Sequence, residues 1–374
     1  MKRLLINASN LHVGGGVQVA TSFIVDLSKM DYSHDLNIIC STVVHENLKN
    51  IVDVTKFGSF KIIDSFGFRQ LPSEEIENIR NDYDVCFSIF GPIYHDIPVK
   101  YHICGFAQAW IAYPKNEAYS ILSKASQFKA RIKFFIQKYY FKKYDHLVVE
   151  LPHVKSALCR IGFKETDISI IYNSISTIYS IPNLWREIPD VKMQSNIPTI
   201  GFVGRAYPHK NLAILHEVAE ILTIKYEFRC NFLFTLTKSE MEALGFNTLD
   251  NFYTVGSIQL EQCPNFYKKL DAFIFPSLLE CYSVSPVESM IMSVPVIASR
   301  REFVSDICGD AAYYFDPQSA DSIAKSIYEA FNNDVEKERK LKIGKAIVKD
   351  LPSSRDRTNS YINLLKTYLS KIEG

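Results

Sequence analysis

The chain lacks several features that would have classified it at once. No two of its eight cysteines, at 40, 86, 104, 159, 230, 263, 281 and 308, are spaced as Cys-x-x-Cys, and no Cys/His cluster has zinc-ligand spacing. Scattered single cysteines suit a reducing compartment, where most serve as small core hydrophobes. Net charge is nearly absent: 42 Lys and Arg against 41 Asp and Glu leave a formal +1, so nothing global points to nucleic acid. The most apolar stretches reach about ten residues, well short of the roughly 20 needed to span a bilayer. The opening Met1-Lys2-Arg3-Leu4-Leu5-Ile6-Asn7 turns polar too soon for the apolar core of a signal peptide. These absences together predict a cytoplasmic protein. Internal repeats and low-complexity tracts are missing as well.

What is present is a length of 374 residues, 47% hydrophobic, enough for two cores in lobes of about 150–200 residues. Short apolar strand-like runs at 4–6, 36–40, 61–63, 85–89, 101–104 and 147–149 alternate with helical stretches, the first over 17–30. Around 176–198 the pattern breaks at Pro182, Pro189 and Pro198. It restarts with strands at 199–203, 230–234, 252–255, 272–275 and 294–298 and a helix over 211–225. Apolar strands alternating with helices predict parallel sheets covered on both faces. The expected organisation is α/β: a first Rossmann-like lobe over 1–178, a linker over 179–198 and a second Rossmann-like lobe over 199–351. A helical segment within 352–374 is expected to pack back on the first lobe. Two doubly wound lobes would hold a ligand in a central cleft, beyond the carboxyl ends of the strands.

Two segments of the second lobe carry the chemistry. In Phe273-Ile274-Phe275-Pro276-Ser277-Leu278-Leu279-Glu280, a buried strand ends and a loop brings up a carboxylate. A helix then starts near Pro286, since proline is favoured in a first turn, and Glu288 follows in that turn. Two carboxylates eight apart across this junction can both face the cleft. Taken alone, they equally fit a solvated loop glutamate and a carboxylate complementing a helix dipole. The other segment, Ile200-Gly201-Phe202-Val203-Gly204-Arg205, is a strand entering a turn, followed by Ala206-Tyr207-Pro208-His209-Lys210-Asn211 at the expected helix start. Arg205 and Lys210 there are either surface charges or a diphosphate cradle. A diphosphate carries about two negative charges, which one guanidinium fork and one ammonium can neutralise. In the first lobe, Gly14-Gly15-Gly16 allows close approach of backbone to a ligand. The Gly-x-Gly-x-x-Gly of a nicotinamide site is not met, because Val19 stands at the last position. His12, just before the glycines, is a lone loop histidine of the structural kind.

Together these segments resemble the retaining glycosyltransferases of the GT-B fold, in particular the large group 1, or family 4, class. Its Glu, seven residues, Glu signature after a Pro-Ser strand end is matched by Glu280 and Glu288. The resemblance implies that Glu280 touches the donor sugar and Glu288 holds the nucleotide ribose hydroxyls. It implies that Gly204, Arg205 and Lys210 bind the donor pyrophosphate and stabilise the departing nucleoside diphosphate. Gly15 and Gly16 would face that phosphate from the first lobe. Where relatives carry a Gly-Phe-Gly-type run, this chain has Cys281-Tyr282-Ser283; Tyr282 and the amides of Ser283 and Val284 are the expected donor contacts in its place. Relatives often have a cleft histidine where Gln108 stands here, and glutamine cannot act as a base, so Gln108 is expected to hydrogen-bond the sugar or the acceptor. The runs 295–299 and 309–317 resemble scaffold elements of the class. The run 106–114, Phe106-Ala107-Gln108-Ala109-Trp110-Ile111-Ala112-Tyr113-Pro114, resembles bacterial O-antigen glycosyltransferases.

The implied reaction moves a sugar from a nucleoside diphosphate sugar to a lipid-linked oligosaccharide, with retention at the anomeric carbon. No paired-aspartate metal site is evident, so neither a metal nor another cofactor is expected. The alternatives are an epimerase of the same fold acting on UDP-N-acetylglucosamine, and a sugar-nucleotide-binding module without turnover. One further segment stands apart. Residues 124–144 carry seven Lys or Arg and seven Phe or Tyr with no acid before Asp145. A basic, aromatic amphipathic helix reads as membrane-surface-seeking, the alternative being a solvated helix with its aromatics in the core. Lys129, Arg131, Lys133 and Lys138 are the expected headgroup contacts, which would hold the protein at the inner face of a bacterial cytoplasmic membrane.

Overall fold

The computed structural model describes residues 3–373. The chain divides into two compact units, the first formed by Met1–Pro114, Phe128–Ser174 and Pro352–Gly374, the second by Lys115–Gln127 and Ile175–Leu351.

The first unit holds β1 (Leu4–Ala8), β2 (Asn37–Cys40), β3 (Ser59–Ile62), β4 (Val85–Ser88), β5 (Tyr101–Gly105), β6 (His146–Val149) and β7 (Ile168–Ile170). They form one parallel sheet in the order β3-β2-β1-β4-β5-β6-β7. Successive side chains of a strand point to opposite faces, and the core divides accordingly. Leu4, Ile6, Ile38, Val85 and Phe87 belong to one apolar cluster, whereas the intervening Leu5, Ile39 and Cys86 belong to another. Both faces are therefore covered, as a parallel sheet requires. The helix Gly15–Leu27 buries Phe23, Ile24 and Leu27 in the first cluster. The final helix, Ser354–Glu373, brings Tyr361, Ile362, Leu365 and Tyr368 into that same cluster. Its start is pinned by Arg357, which donates to Asn173 Oδ1 at 2.6 Å and Ser22 Oγ at 2.9 Å.

The second unit holds β8 (Thr199–Phe202), β9 (Asn231–Phe234), β10 (Phe252–Thr254), β11 (Ala272–Phe275), β12 (Val296–Ser299) and β13 (Ala312–Phe315), parallel in the order β10-β9-β8-β11-β12-β13. In each unit the order reverses beside the first strand, which is the doubly wound, Rossmann-like arrangement. Two strands, β7 and β13, have no counterpart in the sequence reading. β7 is three residues with a serine at its centre and offers no apolar run. The expected helix 211–225 also differs: two 3₁₀ turns, Pro208–Lys210 and Leu212–Ile214, precede an α-helix that begins only at Leu215. Asn211 separates the turns with a left-handed backbone (φ 57°), and its side-chain amide donates to the Pro317 carbonyl at 2.7 Å. Lys210 thus lies on a short turn, not in the first turn of an α-helix, and the dipole of a long helix does not act on it.

Candidate functional site

Three loops leaving the carboxyl ends of β8, β9 and β11 assemble a charged cluster in the second unit. After β8 the chain turns at Gly204, whose φ of 143° favours glycine, and its amide donates to Thr235 Oγ1 at 3.0 Å beyond β9. Arg205 follows, half exposed, and its Nε donates to Glu240 Oε1 at 2.8 Å. The same oxygen accepts the Ala206 amide at 3.0 Å. Glu240 is itself held by a reciprocal cap, in which its carboxylate accepts the Thr237 amide at 2.9 Å while Thr237 Oγ1 accepts the Glu240 amide. Burial pushes this carboxyl up, but Arg205, Thr237 and the Ala206 amide outweigh it and hold its pKa at about 2. Glu240 therefore stays ionised and fixes the base of the Arg205 side chain. It did not emerge as a site residue from the sequence, although Thr237-x-x-Glu240 carries the capping-box pattern.

Lys210 and Glu280 meet. The ammonium lies 2.5 Å from Glu280 Oε1 and 5.1 Å from the centre of the Phe275 ring at the end of β11. Both side chains are largely buried. The two loops are tied together by the Leu278 amide, which donates to the His209 carbonyl at 2.8 Å. His209 Nε2 lies 3.8 Å from Glu280 Oε1, and the ring stacks on Tyr207 at 5.7 Å. Burial lowers the His209 pKa, with Glu280 pulling the other way, so the imidazole is favoured in its neutral form. Against the loop lies the 3₁₀ segment Glu117–Ile121, and Glu117 pairs with Arg301, which opens the helix Glu302–Cys308. His209 stood in the sequence only as the neighbour of Lys210, and the 115–127 segment carried no signal tying it to this place.

Glu288 has no cationic partner in these contacts. It is buried in the short helix Ser285–Ile291, beside Tyr267 and Tyr179. The single phenolic proton of Tyr267 faces two acceptors at 3.0 Å, the Ser285 carbonyl and Glu288 Oε2. Both contacts are satisfied at once when Glu288 is protonated and donates to the phenol oxygen. Burial pushes the carboxyl up and the two tyrosines pull it back, leaving a pKa of about 7. Between the glutamates, Cys281 is buried while Tyr282, Ser283 and Val284 are half-buried.

The remaining candidates lie in the first unit. Gly14 carries the positive φ of the glycine run (73°), and Gly15 and Gly16 open the helix Gly15–Leu27. His12 is held structurally, its Nε2 2.9 Å from the Ser65 carbonyl and its ring stacked on Phe66. Gln108 precedes the helical turn Ala109–Ala112, and its carbonyl accepts the Ile111 amide at 2.9 Å. In the helix Lys124–Phe141, Lys129, Arg131 and Lys133 are exposed, but Lys138 is not free to face a headgroup. It turns back onto the unit and donates to the Ile161 carbonyl at 2.9 Å. Half of the helix's six aromatics also depart from the core reading: Phe128, Phe135 and Tyr139 are exposed, Phe134 and Tyr140 are half-buried and Phe141 is buried. Among the described residues, no helix is long and apolar enough to cross a membrane.

Residues 185–347 match the family described as glycosyl transferases group 1. The chain is 22% identical over 242 residues to O-antigen chain mannosyltransferase RfbU of Salmonella typhimurium, a match covering 61% of this chain and 60% of that protein's length. Its fold is that of sucrose-phosphate synthase from Thermosynechococcus elongatus (TM-score 0.69, 14% identity, 98% of this chain and 99% of the other). It is equally that of Anabaena Alr3699/HepE, solved with UDP-glucose (TM-score 0.67, 12% identity, 97% and 99%). The fold is therefore GT-B, the segment 185–347 matches the group 1 glycosyltransferase family, and over about three fifths of its length the chain resembles an O-antigen enzyme.

Proposed function

We propose that the protein transfers a sugar from a nucleoside diphosphate sugar to a lipid-linked oligosaccharide, with retention at the anomeric carbon. The observation that carries this reading is the meeting of Lys210 with Glu280 on the loops after β8 and β11, with Arg205 anchored by Glu240 earlier on the same β8 loop. In a doubly wound sheet the carboxyl edge of the strands is where ligands bind. Lysine has three protons to donate, so Lys210 can keep Glu280 and still reach a phosphate oxygen. Arg205 is anchored through Nε alone in its contact with Glu240, which leaves its terminal nitrogens to a second phosphate oxygen. The two cations would stabilise the charge that develops on the leaving diphosphate, the task a divalent metal performs elsewhere. Glu280 would orient sugar hydroxyls, Glu288 would hold the ribose, and Gly204, Gly15, Gly16, Tyr282 and the amides of Ser283 and Val284 would line the donor. Gln108 would bind the sugar or the acceptor. The likeness to an O-antigen chain mannosyltransferase supports a bacterial surface polysaccharide as product and work at the cytoplasmic membrane surface.

The test is calorimetric titration with a panel of nucleoside diphosphates and their sugars. Arg205→Ala and Lys210→Ala should each weaken diphosphate binding by about 1.5–3 kcal/mol, the worth of a charge-assisted contact. Glu240→Gln keeps both cations but loosens Arg205, and its loss should be smaller. Glu280→Ala should spare the bare diphosphate and slow turnover of the intact donor, and turnover should persist in EDTA. Unchanged affinity in both cation variants would overturn the reading.

A further inference from the structure

The helix Lys124–Phe141 presents an apolar stripe to solvent. Phe128, Ile132, Phe135 and Tyr139 succeed one another at spacings of four, three and four, which places them on one helical face. All are exposed, from 46% at Ile132 to 76% at Phe135. The stripe is about 17 Å long at 1.5 Å per residue. It does not end with the helix. Tyr139 packs edge-on against Tyr140, Tyr140 against Tyr94, and both Tyr94 and Tyr140 against Phe68, a loop residue 70% exposed. A patch of this kind on one unit marks an interaction surface, because soluble proteins rarely leave large aromatic side chains contiguous in water.

Its charge identifies the partner. At about 100° per residue, Lys124 and Arg131 fall on one flank of the stripe and Lys129 on the other, while Lys142 and Lys143 follow directly after the helix end at Phe141. No acidic residue stands between Glu117 and Asp145 in the sequence. Asp96 reaches this surface and pairs with Lys143 at 3.2 Å, and Lys143 also lies over the rings of Tyr139 and Tyr140. An apolar stripe flanked by basic residues, with no acid along the helix, is the pattern of a helix lying in a membrane interface, where long basic side chains reach headgroups as rings enter the acyl boundary.

We propose that this face docks the protein on an anionic bilayer, with Phe128, Ile132, Phe135, Tyr139 and Phe68 inserted and the flanking Lys124, Lys129 and Arg131 at headgroup level. The inference rests on the lipid-linked acceptor of the proposed function and identifies the surface that meets the lipid. It also changes the source of affinity: the exposed rings hold the protein on the membrane, while the basic residues select the leaflet. Lys138, bound to the Ile161 carbonyl, takes no part.

Vesicle sedimentation tests it with the full chain. Wild type should sediment with phosphatidylglycerol-rich vesicles, weakly with phosphatidylcholine, and should keep part of its binding at 1 M salt, where the screening length is about 3 Å. Phe128→Ser, Phe135→Ser and Tyr139→Ser combined should lower the partition by about tenfold or more. Nucleoside diphosphate affinity, read on the same sample, should be unchanged and reports that the variant is folded. Lys124→Gln, Lys129→Gln and Arg131→Gln combined should lose the preference for phosphatidylglycerol but keep the residual high-salt binding. The proposal is overturned if the aromatic variant sediments like wild type, or if wild-type binding vanishes at 1 M salt, leaving electrostatics alone. It is also overturned if wild type ignores vesicles and instead forms dimers that the aromatic variant dissolves. Vesicle binding by a chain that binds no nucleotide would sink the proposed function and leave this surface standing.

Discussion

Glu280 and Glu288 are separated by one loop and end in opposite electrical surroundings. Glu280 sits against Lys210, whereas Glu288 is buried between two tyrosines with a pKa raised to about 7. A raised carboxyl pKa means that the folded chain holds the proton more tightly than the unfolded one. Stability linked to Glu288 is therefore fully present below the ordinary carboxyl range and is lost as pH rises through about 7. Glu288→Gln escapes that loss and should be more stable to denaturant than wild type at pH 8, by up to about 3 kcal/mol, since each pKa unit is worth about 1.4 kcal/mol. Near pH 4 the two should converge. If Glu288 accepts ribose hydroxyls, its protonation removes an acceptor, so nucleotide affinity in wild type should decline as pH falls through 7. Titration of both proteins across this range checks it, and a flat wild-type profile would remove Glu288 from the ribose. Sequence spacing made both carboxylates visible. The difference between them was not visible, because it comes from Tyr179 and Tyr267, 109 and 21 residues away along the chain from Glu288.

At the scale of elements, the glycines show how local pattern and tertiary contact divide the work. The run at 14–16 reads from sequence as a place where backbone meets ligand, and a Cβ added at Gly15 meets nothing within 4 Å. Gly15 is helical, so Gly15→Ala should leave the fold intact and stabilise it by about 0.4–1 kcal/mol. If that alanine weakens donor affinity, the ligand approaches this backbone; unchanged affinity would take Gly15 out of the donor set. Gly105, at the end of β5, drew no notice as a sequence feature. A Cβ there would sit 1.9 Å from the Ile89 carbonyl oxygen, a backbone atom that cannot rotate away. Gly105→Ala should cost at least the 1–3 kcal/mol typical of overpacking, seen as a lower denaturation midpoint. The helix after β8 gives the same lesson in reverse. Its apolar periodicity is continuous with the preceding turns, yet the α-helix begins only at Leu215, after the left-handed Asn211, whose side chain is held by a hydrogen bond to Pro317, 106 residues on.

On the scale of the whole chain, each unit is assembled from separate stretches of sequence, and the last helix completes the core of the first. Tyr361 packs against Phe23 and Phe87, Tyr368 Oη lies 2.9 Å from His146 Nδ1, and Leu365 is fully buried. Leu365→Ala should cost the first unit about 2–5 kcal/mol, while nucleotide affinity, which the proposed function assigns chiefly to the second, should stay unchanged at temperatures where both are folded. A loss of nucleotide binding in the folded variant would overturn that assignment. The sequence by itself determined the two parallel α/β sheets, because strands buried on both faces must be short and apolar and must alternate with covering helices. It also determined the charged positions at 205, 210, 280 and 288, because strand ends and turn residues lie close together along the chain. Only the tertiary structure decided what those charges meet: Glu240 under Arg205, Lys210 on Glu280, two tyrosines around Glu288. It likewise decided that Phe128, Phe135 and Tyr139 of the basic helix face solvent, since helical periodicity identifies an apolar stripe but not whether anything in the fold covers it.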